Sequence, residues 1–256
     1  MGNAIRWLKE LIIKIDPSMP EREAKESLTS AIDGFIRDRF ILAGKLIAEQ
    51  AAKKIVNDDV VLTYAKSTIV LKSLVEAKSQ GKNFRVIVVD SKPLFEGKEM
   101  AKDLVKAGLT VSYYPITGAA QAVQAATKVL LGAHAMLSNG VLQSRVGTSM
   151  IAMHARARSI PVLVCCESIK FSELVALESI TKNEISPADE LLGSLGEQSA
   201  SAAADQLKVL KDTPNLQMLN IMYDFAHPSY IYLIVTEHGS LPPSSVPAVL
   251  RSSGTT

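Results

Sequence analysis

Beyond Asn57-Asp58-Asp59 the chain repeats one pattern, and that pattern restricts its fold more than anything else in it. The runs "VVLTYA", "FRVIVVD", "TVSYYPI", "HAMLSNG" and "PVLVCCE" are short and β-branched, and each is followed by a stretch of suitable length for a helix. Strands that alternate with helices predict a parallel sheet covered on both faces. In such a sheet ligands gather at the carboxyl ends of the strands, near the point where the strand order reverses. Tyr64–Ser67, Asp90–Lys92, His134–Gly140 and Cys166–Lys170 are therefore expected around one edge.

The first 57 residues follow a different period. In "AIRWLKELIIKI" the apolar positions Ile5, Leu8, Ile12 and Ile15 share one helical face. "DPSMPE" interrupts it, and Ser18 with Glu21 has the spacing of a capping box for a second helix. That helix runs through Leu28, Ile32, Phe35, Ile36, Leu42 and Leu46 to Ile55, long enough to require an irregularity, with Gly34 and Gly44 as candidates. A helical domain over 1–57 and an α/β domain over 58–256 are expected, with a polar, mobile loop over about 180–215 holding a short helix at most. A strand, a helix start at "HPS" with Pro228 near N1, an extended Pro-rich segment and a disordered "RSSGTT" complete the chain.

With 256 residues and 47% hydrophobic content the chain can bury a substantial core. Ten Lys and Arg stand against eight Asp and Glu before residue 58, and eighteen against eighteen after it, so no part has the basic bias of a nucleic-acid groove. No apolar run is long enough to span a bilayer, and "MGNAIRWLKELIIKI" is too charged for a signal peptide. The only cysteines, Cys165 and Cys166, are adjacent and would point to opposite faces of a strand. Their usage fits a reducing, cytosolic setting.

Phosphate-loop, dinucleotide-binding, nucleophile-elbow and zinc-protease motifs are absent. The four histidines, His134, His154, His227 and His238, lack metal-ligand spacing, and no cofactor is expected. Asp90 ends an apolar run and reads first as a cap of the following loop, with catalysis as the alternative; Lys92 stands where an anion could be met. Asn139-Gly140 reads as a turn with positive φ, and Arg145 and Gly147 as parts of a helix. His134 lies alone in an apolar run, where a hydrogen-bonded core residue is commoner than a base, and its only nearby partners for proton transfer are Asp90 and Glu167.

"VIVVDSKPLFEG", "KVLLGAHAMLSNGVLQSRVGTSMIAMHARARSIPVLVCCESIKFSE", "NEI" and "LNIMYDFAHPSYIYLIVTEHGSLPPSSVPAVL", in that order, resemble the regulatory subunits of eukaryotic translation initiation factor 2B, the delta type most closely. The resemblance covers essentially the whole chain and includes "AIDGFIRDRF" in the helical part. It implies a helical amino-terminal domain followed by a Rossmann-like α/β domain, and assembly with alpha and beta paralogues and catalytic gamma and epsilon subunits. The complex exchanges GDP for GTP on initiation factor 2, and its regulatory subunits sense phosphorylation of that factor's alpha subunit. A long amino-terminal extension, also implied, does not occur in these 256 residues.

The superfamily also contains sugar-phosphate isomerases that use a cysteine in an "LTxC"-like stretch and an aspartate in a "GAD…NG" stretch. Here the corresponding stretches are "LTYAKST" and "GAHAMLSNG", which put Ala65 and His134 at those places, and Lys92 where a phosphate-binding arginine stands. The resemblance thus implies a vestigial pocket of Thr63, Ala65, Asp90, Lys92, His134, Asn139, Gly140 and Lys170 that lacks its proton-transfer pair. Two surfaces follow from the same reading. Arg22, Lys25, Arg37 and Arg39 are candidates for recognising phosphorylated initiation factor 2, with ordinary solvated helix charges as the alternative. Tyr223, Phe225, Tyr230 and Tyr232 are candidates for a subunit interface or, in part, for core filling. Isomerase activity or sugar-phosphate sensing is the competing function, and a homodimer of the isolated chain stays open.

Overall fold

In the computed structural model, described over residues 2–181, 183–192 and 213–253, the chain is a mixed α/β structure with a helical amino-terminal region and a largely parallel sheet. Helices α1 (Gly2–Ile13) and α2 (Glu21–Ile36) lead into a π-helical stretch, Arg37–Leu42, and on into α3 (Ala43–Ala52). The main sheet contains β1 (Val60–Tyr64), β2 (Arg85–Asp90), β3 (Thr110–Pro115), β4 (Lys128–Gly132), β7 (Val162–Cys165), β10 (Leu233–Thr236) and β11 (Gly239–Leu241). Its order is β11-β10-β7-β4-β1-β2-β3, parallel except for β11. The order reverses between β1 and β4, the switch point of a doubly wound sheet. Helices α4 (Thr68–Ser79), α5 (Glu96–Lys106), α6 (Ala119–Ala125) and α7 (Thr148–Ala157) make the crossovers around it. A second sheet, ordered β8-β5-β6-β9, is built from β5 (Ala135–Leu137), β6 (Leu142–Arg145), β8 (Phe171–Ser172) and β9 (Tyr223–Ala226). The short helix α8 (Asp189–Leu192) and the closing helix α9 (Val246–Ser253) complete the described elements.

The inner strands are largely apolar because both faces of the sheet are covered there, whereas the edge strand β3 is mostly exposed. Along β1, Val60, Leu62 and Tyr64 join one core cluster with α6 and α7, whereas Val61 joins the other with α3, α4 and α5. Helix α3 belongs to that second cluster: Ile47, Ala51 and Ala52 are fully buried beside Val61, Leu74 and Val235. Its buried positions are mostly alanine, which lets the helix approach the sheet closely. The preceding helices differ sharply, since α1, α2 and the π-helical stretch contain no buried residue. They hold together through Trp7 stacked on Phe35 at 4.1 Å, with Phe40 edge-on to Phe35 at 6.2 Å. Asn3 ties α1 to the α/β part by donating to the carbonyls of Ile169 and Phe171 at 2.8 and 2.7 Å.

Several local expectations change. Ser18 does not cap α2; its N–H and hydroxyl both turn back to Asp16 Oδ1, and Pro20 precedes the helix. The helical irregularity falls at Arg37–Leu42, between the two glycines considered for it. "HAMLSNG" is not a strand of the main sheet, because β4 ends at Gly132 and the chain turns into the hairpin of β5 and β6. Asn139-Gly140 is the turn of that hairpin, with Gly140 at φ +77°. Arg145 closes β6 and Gly147 precedes α7 at φ +103°, so neither lies inside a helix. "HPS" forms only a 3₁₀ turn, Pro228–Tyr230, capped by the His227 ring. The Pro-rich end is helical as well as extended, since Pro247 occupies the first turn of α9, where its missing N–H costs nothing. Of the expected polar loop, Ile185 makes a bridge to Ile221, while 193–212 and the terminal 254–256 lie outside the described residues.

Because Ile47 is fully buried and Ile13 is 81% exposed, the two isoleucines are expected to respond oppositely to truncation. Ile47→Ala should cost about 3 kcal/mol of unfolding free energy and Ile13→Ala close to none, measured by urea denaturation.

Candidate functional site

A cavity opens at the carboxyl edge of the main sheet, next to the ends of β1 and β2. Tyr64 and Ala65 form one wall, the loop Asp90–Phe95 with Glu96 a second, and Arg145-Val146 with Asn220–Met222 a third. Its volume is about 30 Å³, room for a water molecule and far below the several hundred Å³ that a small organic ligand fills.

Tyr64 sets the position of the walls. Its buried hydroxyl meets Ser91 Oγ at 2.7 Å and donates to the carbonyl of Val146, tying the end of β1 to both other walls. Burial, only partly offset by the bond to Ser91, pushes the phenol up to about 12, so it remains a neutral donor. The next residue, Gly147, has no room for a side chain: a Cβ there would lie 2.4 Å from the Tyr64 hydroxyl. Arg145 crosses the opening, its Nε donating to Glu96 Oε2 at 2.9 Å and its NH1 lying 3.7 Å from Met222 Sδ. The hydrogen bond to Glu96 raises the guanidinium above its ordinary value and keeps it charged.

Asp90 is buried and structural in its bonding. Its Oδ1 accepts from the Ser91 N–H at 2.9 Å and its Oδ2 from the Tyr113 hydroxyl at 2.8 Å. It packs so closely on the start of α5 that a Cβ on Gly97 would approach its Cγ to 2.6 Å. Ala65 lines the cavity in a left-handed conformation, φ +53°, with its N–H bonded to the carbonyl of Val89. Lys92 lies exposed at the rim.

The other expected pocket residues do not line this cavity. Thr63 is fully buried in β1 with its hydroxyl unpartnered. His134, exposed at the surface, sets its ring against Tyr223 at 4.3 Å in a tilted contact, and partial desolvation lowers its proton affinity. Asn139 donates to the carbonyl of Ala176, Gly140 is the hairpin turn, and Lys170 pairs with Glu167 at 2.8 Å. Cys165 and Cys166 are buried free thiols, raised by desolvation, Cys165 to about 12, so neither ionises at neutral pH. Among the described residues no group of His, Cys, Asp and Glu could hold a metal ion, and no helix is long and apolar enough to cross a membrane.

The two candidate surfaces divide residue by residue. Arg22, Lys25, Arg37 and Arg39 are all exposed, and the first three pair with Glu26, Glu21 and Asp38. Of the aromatic set, Tyr230 packs against the core, Tyr223 against His134, Phe225 is half-buried in β9, and Tyr232 is 64% exposed.

Sequence reasoning placed Tyr64 at this edge but passed over Glu96, Arg145 and Asp224 as site residues. Asp224 is buried in β9 and caps α7, its Oδ2 accepting from the N–H groups of Gly147 and Ser149 at 2.7 and 2.9 Å, while Oδ1 is unpartnered. Desolvation outweighs those bonds and raises the carboxyl to about 6. An aspartate inside the apolar "MYDFA" was the available signal.

A family model described as the initiation factor 2 subunit family matches residues 1–243. The translation initiation factor eIF2B subunit delta of Schizosaccharomyces pombe is 44% identical over 251 residues, 98% of this chain and 54% of the relative. This chain therefore spans about half that relative's length. The ribose 1,5-bisphosphate isomerase of Thermococcus kodakarensis is 30% identical over 212 residues, 80% of this chain and 60% of the relative. Among solved structures, the tetrameric eIF2B-beta2-delta2 complex from C. thermophilum contains a chain of 37% identity and TM-score 0.78, matching 93% of this chain and 69% of that one.

Two outcomes follow from this geometry. Gly147→Ala should destabilise the protein by about 3 kcal/mol, with part of the loss recovered when Tyr64→Phe removes the obstructing hydroxyl. Asp224 holds its proton more tightly folded than unfolded, so its contribution is fully present below about pH 4 and is lost as pH rises through about 6. The difference corresponds to up to about 3 kcal/mol, and Asp224→Asn should flatten that part of the pH–stability curve in denaturant titrations.

Proposed function

The chain belongs to the initiation factor 2 subunit family, and on that premise we propose that it is a non-catalytic regulatory subunit of eukaryotic translation initiation factor 2B. In this reading it works in the cytosol, within the complex that exchanges GDP for GTP on initiation factor 2, through surfaces rather than through a reaction. The observation that carries it is the cavity at the sheet edge, which has about 30 Å³ of space and Ala65 in its wall. Alanine cannot take or give a proton, and His134 turns to Tyr223 instead of into the cavity. The ribose 1,5-bisphosphate isomerase relative keeps the sugar-phosphate reading as the alternative, as enzyme or as sensor, but a cavity of this size favours neither.

Assembly with paralogous subunits is supported by the likeness to a chain of an eIF2B-beta2-delta2 tetramer and by the apolar surface beside the second sheet. Leu174, Val175, Leu177 and Ile180 are all at least half exposed there, and Tyr232 is exposed at a separate position before β10. The alpha, beta, gamma and epsilon subunits are the proposed partners. The helical domain, residues 1–57, is proposed to meet the phosphorylated alpha subunit of initiation factor 2. Its helices α1 and α2 contain no buried residue, and Arg22 and Lys25 on α2 with Arg37 and Arg39 in the π-helical stretch present cations at the surface. A phosphoserine, with close to two negative charges, would compete for them with Glu26, Glu21 and Asp38.

Affinity copurification of this chain with the four other subunits and with initiation factor 2, in both phosphorylation states, tests the proposal. Capture of the subunits is expected, together with stronger retention of the phosphorylated factor that is lost on charge reversal at Arg22 and Lys25. Absence of any subunit, or turnover of ribose 1-phosphate by the purified chain, would overturn it. Tyr232→Ser should weaken capture of the beta subunit several-fold without changing stability, whereas Tyr230→Ser should lower the unfolding midpoint, because only Tyr230 packs against the core.

A further inference from the structure

The hairpin of β5 and β6 carries a chemically labile pair at its tip. Asn139 is the one asparagine of the chain that glycine follows. Asparagine is a labile residue, and its side-chain amide is lost most readily before glycine, whose backbone nitrogen no side chain shields. The fold cannot dispense with that glycine. Gly140 sits at φ +77°, and a Cβ there would lie 2.9 Å from the carbonyl oxygen of Pro243. Asn139 itself is exposed at the turn.

Asn139 and its neighbour Ser138 also hold the segment that follows β8. Ser138 gives its N–H to the carbonyl of Leu174 at 3.0 Å and its hydroxyl to the carbonyls of Glu173 and Leu174 at 3.1 and 3.2 Å. Asn139 adds the outermost tie, its Nδ2 donating to the carbonyl of Ala176 at 2.9 Å. The next residue, Leu177, is 93% exposed. Leu174, Val175 and Leu177, part of the apolar surface assigned above to subunit assembly, are thus set in place by a turn whose side-chain bonds lie at the exterior.

The closed turn restrains the reaction. The Gly140 N–H donates to the Leu137 carbonyl at 2.8 Å, and the Asn139 amide is engaged with Ala176. A turn held by exposed bonds opens far more often than the core does. Once it is open, the Gly140 nitrogen loses its proton to solvent base and attacks Asn139 Cγ. A cyclic succinimide forms and ammonia leaves. Water then opens the ring at either carbonyl, giving aspartate or isoaspartate, so the net change is water taken up and ammonia released. Either product sets a carboxylate, which has no proton to donate at neutral pH, against the Ala176 carbonyl. Isoaspartate also adds a methylene to the main chain of the turn.

We propose that Asn139 is a site of spontaneous deamidation whose conversion releases the Leu174–Leu177 segment, so that the uncomplexed chain loses its assembly surface as it ages. The link to assembly rests on the function proposed above, whereas the modification and the release of the segment do not. A partner seated on the segment would keep the turn closed and slow the reaction, which makes the free chain the form that ages.

The test incubates the purified wild-type chain in mildly alkaline buffer at physiological temperature, with and without urea, and follows it by peptide mapping with mass spectrometry. Loss of the Asn139 amide is expected in both, more slowly in the native chain, and there faster than at any other asparagine. The deamidated native fraction is resolved by ion exchange through its added negative charge and digested with chymotrypsin beside fresh protein, Asn139→Asp and Asn139→Ala. Cleavage at Leu174 and Leu177 is expected to run several-fold faster in the aged fraction and in both variants, since all three lack the tie to Ala176. A native Asn139 amide lost no faster than those of the other asparagines would overturn the site. Aged protein cleaved at the fresh rate would overturn the release, and that fraction decides the point even where a variant does not fold. Capture of the beta subunit is expected to fall several-fold on ageing, and equal capture by fresh and aged chains would overturn the loss of the assembly surface. Fresh wild-type chain that captures no beta subunit would sink the assembly reading itself, an outcome that neither mapping nor digestion produces.

Discussion

A parallel sheet has two apolar faces, and neither tolerates water. Covering both is the requirement on which the remaining structure depends. The crossover helices α4 and α5 cover most of one face, and α6 and α7 cover the other. The first face is still open near β10, and α3 closes it with the alanine-rich surface that carries Ile47. One long helical run is therefore divided in its environment. Its last ten residues are part of the sheet's core, while everything before Ala43 is attached by the Trp7–Phe35 stack and the Asn3 amide and is left largely solvated. The π-helical stretch sits where the buried and solvated parts meet.

The same requirement positions the cavity. With the strand order reversing between β1 and β4, the loops after β1 and β2 open toward the second sheet, as a doubly wound topology demands. What usually becomes a ligand crevice is here bridged twice. The Tyr64 hydroxyl ties three chain segments together at the back, and the Arg145–Glu96 pair joins the two sheets at the opening. Contacts between the walls therefore fill the place where a doubly wound sheet usually opens a ligand crevice.

Much of this architecture was legible in the residues because burial on both faces leaves a one-dimensional trace. The runs around Val60–Tyr64, Arg85–Asp90, Thr110–Pro115 and Val162–Cys165 are all strands of the main sheet. The run that misled was Lys128–Gly140, apolar over most of its length from Val129 to Leu137. A strand that ends at Gly132 and a hairpin that starts at Ala135 carry the same hydrophobicity, since one packs within the main sheet and the other against it. Arg145 and Gly147 were obscured by the helix that follows them, whose periodicity extends naturally backward over the turn. Ser18 was misread because a local Asp16 acceptor competes for the same hydroxyl that a helix cap would use.

The sequence by itself determined the alternation of strands and helices, the change of period near residue 57, the family and the absence of a titratable group at Ala65. These are properties of local pattern and residue identity, and each can be read without knowing what faces what. Only the tertiary structure decided that His134 packs against Tyr223, that Arg145 meets a glutamate forty-nine residues away, and that α3 joins the sheet's core. The size of the cavity was decided there as well. Charge pairing and free volume depend on distances between segments remote in the chain, and those distances exist only once both faces of the sheet have been covered.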